Sequence, residues 1–307
     1  MNKKNKISVV LAVLNEEKKI AACLTSVKWS DEIIVVDDGS TDATVEIAKK
    51  FTDKIFHHKS VGYVEPIRNF AISKASGDWI LILDADEQVS ESLSRKLREV
   101  SHLEKGAVGI AIPRKNIIFS KWIMHTGWWP DYQLRFFKKG TFIWSPEIHK
   151  QPEVKGEIIE LEAKVENSIL HLHYETISEF LRKMNLYTDV EAAEFIKSKG
   201  SFVWIDLIRK PFNEFLSRFF ARAGYRDGLH GLVLAILQAI SMFIVTLKIW
   251  EQKGFQDIEG EVLISEVEKE AKKMRKELLF WFTFEKIKKI KNPIQRSAYR
   301  MLKKIIK

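Results

Sequence analysis

EIIVVDDGSTDAT, residues 32–44, and WILILDADE, residues 79–87, are built alike: an apolar, β-branched run that stops abruptly in clustered acids. A near-continuous apolar run of this length reads as a strand covered on both faces. Three further runs have the same character: ISVVLAVL at 7–14, KIFHH at 54–58 and AVGIAI at 107–112. The stretches between them carry helix-compatible patterns. Strands alternating with crossover helices predict a doubly wound, mostly parallel α/β sheet with flanking helices. Ligands of such sheets bind at the carboxyl ends of the strands, so both acidic clusters fall on the ligand edge.

Two carboxylates spaced Asp84-Ala85-Asp86 at a strand end can sit on one side of a turn, where a divalent cation bridges them to a diphosphate. Hard oxygen ligands suit Mg²⁺ or Mn²⁺, which bind through one or two carboxylates plus substrate phosphates. The bland alternative is a helix N-cap. In the upstream cluster, Gly39 is expected to make a turn and Ser40, Thr41 or Asp42 to cap a helix beginning near Ala43. That leaves Asp37 and Asp38 without a structural job, as acceptors for a base N–H or a ribose hydroxyl.

Composition sets the surroundings of this site. The chain has 307 residues, 46% of them hydrophobic, and a net charge of +9, enough for an enlarged domain or a domain with an appendage. Its single cysteine, Cys23, makes neither an internal disulfide nor a thiolate metal site. Basic Lys3, Lys4 and Lys6 precede the apolar run 7–14, but Asn15-Glu16-Glu17 follows without a small-residue cleavage site. This start reads as a buried strand of a cytoplasmic protein rather than a leader.

Residues 113–175 read as strand and loop rich in aromatics, among them Trp122, Trp128, Trp129, Tyr132 and Trp144, and 176–227 read as helix. The predicted division is a nucleotide-binding, catalytic domain at 1–175 and a helical region at 176–307. Within the latter, 228–247 contains no Asp, Glu, Lys or Arg, and 286–307 carries nine Lys or Arg and no acid. The apolar run is long enough to be a membrane-span candidate. One full span, however, separates the catalytic domain from a basic tail that is biased to the same cytoplasmic face. Aromatic residues mixed with cations in FLSRFFARAGYR and FWFTFEKIKKI favour a peripheral or monotopic arrangement on an anionic leaflet over nucleic-acid binding.

VLNEEKKI, VVDDGSTDAT, Arg68-Asn69 ahead of ISKASGDWILILDADE, and the order of these motifs resemble family 2 glycosyltransferases of the GT-A fold. GWWPDYQLRFF, IHKQPEVKG and LHLHYETISEFLRKMNLYT resemble the subgroup of the lipopolysaccharide core β-1,4-glucosyltransferase. The resemblance covers roughly residues 7 to 250. It implies sugar transfer with inversion from a nucleotide diphosphate sugar, a UDP-hexose, to a lipid-linked or lipopolysaccharide-core-type acceptor, with Mg²⁺ or Mn²⁺ assisting. It also implies roles: Asp37 and Asp38 hold the nucleoside, Asn15 and Glu16 border it, and Arg68 lies beside the nucleoside or phosphate. Asp84 reaches the ribose or the cation, and Asp86 binds cation and diphosphate. Arg135 is a diphosphate candidate. His171 and His173, at strand spacing on one face, are candidates for the cation site, His173 foremost.

Inversion needs a general base opposite the leaving diphosphate. Where the subgroup pattern has Glu after the His of the IHKQPEV segment, this chain has Lys150, which as a cation accepts no proton. The candidates are Asp131, Glu147 and His149. A nucleotidyltransferase shares such a sheet but needs a Gly-rich, lysine-containing loop after the first strand, and Asn-Glu-Glu-Lys-Lys stands there instead. An inactive, membrane-anchored binding protein is the remaining alternative.

Overall fold

A computed structural model describes residues 5–58, 65–102, 106–143 and 153–290. The chain forms two compact units, one of Met1–Met124 with Trp128–Glu175 and one of His125–Gly127 with Thr176–Lys307.

The first unit runs β1 (Ile7–Val13), α1 (Ile20–Ser26), β2 (Glu32–Asp37), α2 (Thr44–Ala48), β3 (Ile55–His57), α3 (Glu65–Lys74), β4 (Trp79–Leu83), β5 (Glu87–Val89), α4 (Glu91–His102) and β6 (Ala107–Ile112). It continues with β7 (Arg114–Ile118), β8 (Lys121–Trp122), β9 (Gln133–Lys138), β10 (Phe142–Ile143), β11 (Glu153–Val154), β12 (Glu157–Glu160) and β13 (Ile169–Tyr174). The main sheet has seven strands in the order β12-β6-β9-β4-β1-β2-β3. All run parallel except β9, which is antiparallel to both β4 and β6. This is the GT-A architecture, with one departure from a plain doubly wound order: the fifth predicted strand, β6, does not pair with β4. Gln133–Lys138, read from sequence only as part of an aromatic strand-and-loop region, separates the two.

Alternation along β1 explains why the sheet is covered on both faces. Ile7, Val9, Leu11 and Val13 join one core with α1 and α4 side chains such as Leu24 and Leu97. Val10 joins a second core with Ile34, Ile67, Ala71 and Phe137. β9 supplies both, because Phe136 and Phe137 point to opposite sides; Phe136 stacks on Trp79 with centroids 4.8 Å apart. A smaller sheet, β5-β13-β7-β8, branches off directly after the Asp84–Asp86 turn.

The second unit is helical: α5 (Ile177–Lys197), α6 (Asp206–Leu216), α7 (Leu229–Gln252) and α8 (Gly260–Lys289). Thr176 caps α5 by accepting the Glu179 N–H at 3.1 Å. Gly231 is imposed by a close approach, since a Cβ there would lie 1.8 Å from the Gly224 carbonyl oxygen. The apolar run expected at 228–247 is α7, long and apolar enough to cross a membrane by length and composition. Of the basic tail at 286–307, Lys286, Lys288 and Lys289 form the last turn of α8, and 291–307 lie outside the described residues.

Candidate active site

The carboxyl ends of β1 and β2 are joined before any ligand is considered. Asn15, at φ 55°, a conformation that Asn tolerates better than most residues, accepts the Thr41 N–H at 2.8 Å and donates its own N–H to Ser40 Oγ at 2.9 Å. Glu16 N–H donates to Thr44 Oγ1 at 2.7 Å, and Glu17 Oε2 accepts the Ala43 N–H at 3.0 Å. The loops after β1 and β2 thus form one ledge. Asp37 is buried beneath it and accepts the N–H groups of Gly39 and Ser40 at 3.2 and 3.1 Å. Burial alone would raise its pKa, but the Ser40 hydrogen bonds, with His57 and Gly39, hold it below the ordinary aspartate value. Asp37 therefore has the structural job that its sequence position did not reveal. Asp38, also buried, donates its N–H to the Val13 carbonyl at 2.9 Å, and its carboxylate lies 3.9 Å from His58 Nδ1.

The end of β4 is organised by charge. Asp84 accepts from Arg68 Nη2 at 3.0 Å and pairs on its other oxygen with Arg135 Nη2. The same Arg135 nitrogen donates to Glu87 Oε1 at 2.9 Å, and Glu87 also meets Arg114 Nη1 at 3.3 Å. Arg114 in turn donates to Asp131 Oδ2, from Nε at 2.9 Å and from Nη2 at 2.8 Å. The arrangement is a continuous ladder Arg68–Asp84–Arg135–Glu87–Arg114–Asp131. Burial would raise the Asp84 pKa, yet Arg135, Arg68 and Arg114 hold it far below the carboxylate range. Burial pulls Arg135 the other way, and Asp84 and Glu87 overcome it. Arg135 is only 3% exposed, so it is a buried salt-bridge partner of Asp84 and Glu87 rather than an open cation.

The small sheet supplies the next layer. β13 pairs with β5 and β7 so that His171 faces Glu87 on one side and Asn116 on the other. Asn116 Nδ2 donates to Asp131 Oδ2 and to the Trp128 carbonyl, each at 2.8 Å. With its amide N–H groups so engaged, Asn116 Oδ1 accepts from His171 Nδ1 at 2.6 Å. This sets the imidazole tautomer and turns Nε2 toward Asp86 Oδ1, 3.6 Å away. The predicted cation ligand His173 has its ring centroid 4.4 Å from that of His171, 5.1 Å from Trp128 and 3.8 Å from Tyr174.

Of the predicted site residues, the structure gathers Arg68, Asp84, Arg135 and Asp131 in one ladder, sets Asp86 two residues beyond Asp84 beside His171, and places Asn15, Glu16, Asp37 and Asp38 at the ends of β1 and β2. Glu147, His149 and the Lys150 substitution lie outside the described residues. Glu87, Arg114 and Asn116 were missed. Arg114 and Asn116 had a signal, two polar residues at period two straight after an apolar strand, while Glu87 was hidden as the last letter of the acidic run.

Among the described residues, no group of three or more His, Cys, Asp or Glu side chains forms a self-sufficient metal site. A hard dication held by one or two carboxylates and substrate phosphates needs none. The charge also fits: three guanidiniums face four carboxylates, counting Asp86, leaving one net negative charge. The buried Cys23 thiol registers the same field. Burial first, then Glu87, Asp86, Asp84 and Glu16, push its pKa well above the usual thiol value, so it stays an inert thiol.

Residues 8–152 match the glycosyl transferase family 2 description. The lipopolysaccharide core biosynthesis glycosyltransferase LpsC of Rhizobium meliloti is 26% identical over 262 residues, covering 81% of this chain and 94% of LpsC. The uncharacterized glycosyltransferase RT0209 of Rickettsia typhi is 30% identical over 261 residues, covering 80% of this chain and 87% of that protein. Among solved structures, S. aureus TarS 1–349 overlaps with a TM-score of 0.42 at 18% identity, covering 83% of this chain and 93% of that one.

Proposed function

The chain belongs to glycosyl transferase family 2, and from that premise we propose that it transfers a hexose from a nucleotide diphosphate sugar, a UDP-hexose, to a lipid-linked or lipopolysaccharide-core-type acceptor with inversion at the anomeric carbon. The observation that carries this reading is the convergence of Asp38, Asp84 and Asp86 at the carboxyl ends of the parallel strands β2 and β4, both neighbours of β1, where such sheets bind ligands.

In this mechanism Asp38 and the Asn15–Glu16 ledge hold the nucleoside, and Arg68 orients Asp84 beside it. Asp86 would hold Mg²⁺ or Mn²⁺, with His171 turned toward the same carboxylate; when bound, the cation neutralises charge on the departing diphosphate. Asp131 takes the proton of the acceptor hydroxyl. Its Oδ2 is occupied by Arg114 and Asn116, so the attacking hydroxyl meets Oδ1, whose hydrogen-bond donor is Gln133 Nε2 at 3.0 Å.

The helical unit supports a cytoplasmic-face, monotopic placement on an anionic leaflet. α7 leaves a stripe of Leu229, Ile236, Ile240 and Phe243 exposed, Leu229 by 73%, while its polar sites are used within the unit: Lys248 donates to Asn185 and Thr188 and pairs with Asp189 at 2.6 Å. Deleting 286–307 removes nine cations, each worth about 1 kcal/mol near an anionic surface. The truncated chain should therefore float poorly with phosphatidylserine vesicles, and salt should mimic the deletion.

The test of the chemistry is a panel of UDP-, GDP- and dTDP-sugars with Mn²⁺. A donor present at 100 times its Kd stabilises the native state by about 2.7 kcal/mol, read as a rise in Tm, and slow release of nucleotide diphosphate should accompany it without acceptor. A panel in which no sugar nucleotide raises Tm or is hydrolysed would overturn the reading.

A further inference from the structure

We propose that Glu87 is the positioning residue of this site: one buried carboxylate that sets Arg135 against Asp84 and Arg114 against Asp131, and so holds the donor-side and acceptor-side acids at a fixed spacing. The proposal rests on the glycosyl-transfer reading above and adds to it a group that touches neither substrate.

Glu87 is 0% exposed. Its Oε1 accepts from Arg135 at 2.9 Å and faces Arg114 at 3.3 Å, and its Oε2 accepts the Asp84 N–H at 3.0 Å. One side chain therefore touches the backbone of the acidic turn, the guanidinium on Asp84 and the guanidinium on Asp131. The small sheet makes this possible. Glu87 opposes His171, and His171 opposes Asn116; cross-strand neighbours share a face, and Arg114, two residues before Asn116, shares it too. A sheet face buried within the unit would ordinarily carry apolar side chains, but this one carries Glu87, His171, Asn116 and Arg114.

Stability does not account for that choice. A buried ion network gains little over well-packed apolar side chains of the same volume, because desolvation offsets most of the attraction. Geometry does account for it. An inverting displacement needs base and leaving group on opposite sides of one carbon, and a misplacement of about 1 Å can cost on the order of 10²-fold in rate. β4 carries Asp84, whereas Asp131 lies in the segment leading into β9, and the Glu87 carboxylate is the link that ties them across the Arg135 and Arg114 guanidiniums.

The experiment uses the full chain, Mn²⁺ and the sugar nucleotide that the wild type hydrolyses fastest. Kinetics and Tm are measured for Glu87→Gln, Arg114→Gln and the double variant. Glu87→Gln should raise the donor KM and lower kcat together, by roughly 100-fold in kcat/KM, because both ends of the ladder loosen. Arg114→Gln should lower kcat of hydrolysis by a smaller factor and leave the donor KM near wild type. The double variant should lose much less than the product of the two single losses, as linked groups do. If Glu87→Gln does not accumulate as folded protein, Glu87→Asp, which keeps the charge and withdraws it by one methylene, carries the same test. Wild-type kcat and KM in a variant that has lost only Tm would overturn the positioning role, as would additive losses in the double variant. A wild type that hydrolyses no sugar nucleotide would defeat the glycosyl-transfer reading, and this inference with it.

Discussion

The two ends of the main sheet's parallel strands both collect acids, and they use them differently. At the amino-terminal end Glu32 accepts from Ser8 Oγ, from Ser76 N–H at 2.8 Å and Oγ at 2.9 Å, and pairs with Lys54. Asp31 accepts the Ile7 N–H at 2.8 Å and pairs with Arg98 at 2.6 Å, and Asp78 accepts the Lys6 N–H at 2.8 Å. These acids staple strand starts together, largely through neutral donors, with cations that reach water. At the carboxyl-terminal end Asp84, Asp86, Glu87 and Asp131 are set among guanidiniums, Arg135 buried and Arg68 and Arg114 half-buried, with a net negative charge. Neutral hydrogen bonds are an inexpensive way to hold a loop, whereas buried ionic ladders are poor stabilisers and good devices for aiming charge. What separates the two ends is the kind of partner an acid has.

Substitutions at the two ends should therefore separate activity from stability. The largest effect is expected from Asp86→Asn, with transfer falling by about 10³-fold as the carboxylate for the cation is lost and Tm little changed; near-normal turnover by the folded variant would remove Asp86 from the cation site. Asp131→Asn should follow, with kcat reduced on the order of 10²-fold for a lost general base, the donor KM preserved and acceptor-free hydrolysis less affected than transfer.

At the opposite end, Glu32→Gln should leave kcat and KM unchanged and cost about 1–2 kcal/mol in urea unfolding. Burial would raise the Glu32 pKa, but Lys54, Ser8 and Ser76 lower it from 4.5 to about 2. A depressed carboxylate stabilises fully above its unfolded value and loses that contribution as pH falls toward the folded one. The Tm gap between wild type and Glu32→Gln should thus be widest above pH 4.5 and close as pH drops toward 2; a gap constant across that range would mean that the glutamate acts by packing alone. The smallest change belongs to Arg95→Ala. Its pair with Glu91 is largely exposed, and loss of such a pair should stay within about 0.5 kcal/mol.

The sheet, its ligand edge and most of its acids were legible in the chain, because buried parallel strands need continuous apolar runs and the residues that end them are adjacent in sequence. Ile7–Val13, Glu32–Asp37 and Trp79–Leu83 announce themselves by composition alone, and Asp84 and Asp86 follow as direct neighbours of the last. The same local logic fails wherever a partner arrives from far along the chain. That Gln133–Lys138 separates β4 from β6 depends on Phe136 and Phe137 finding a core on each face of a sheet built by other segments.

Asp37 shows the limit from the opposite direction: without an evident structural job in the sequence, it is occupied by the backbone of its own turn, and only the tertiary structure reveals which of two adjacent acids is so engaged. Sequence by itself determined the family, the parallel core and the position of the acidic edge, all of which rest on contiguous patterns of hydrophobicity and charge. Tertiary structure alone decided that Arg135 serves Asp84, that His171 meets Asp86, and that Glu87 joins Arg135 to Arg114. Each is a pairing across strands 27 or more residues apart, and side-chain reach across a sheet is set by register, which no single strand encodes.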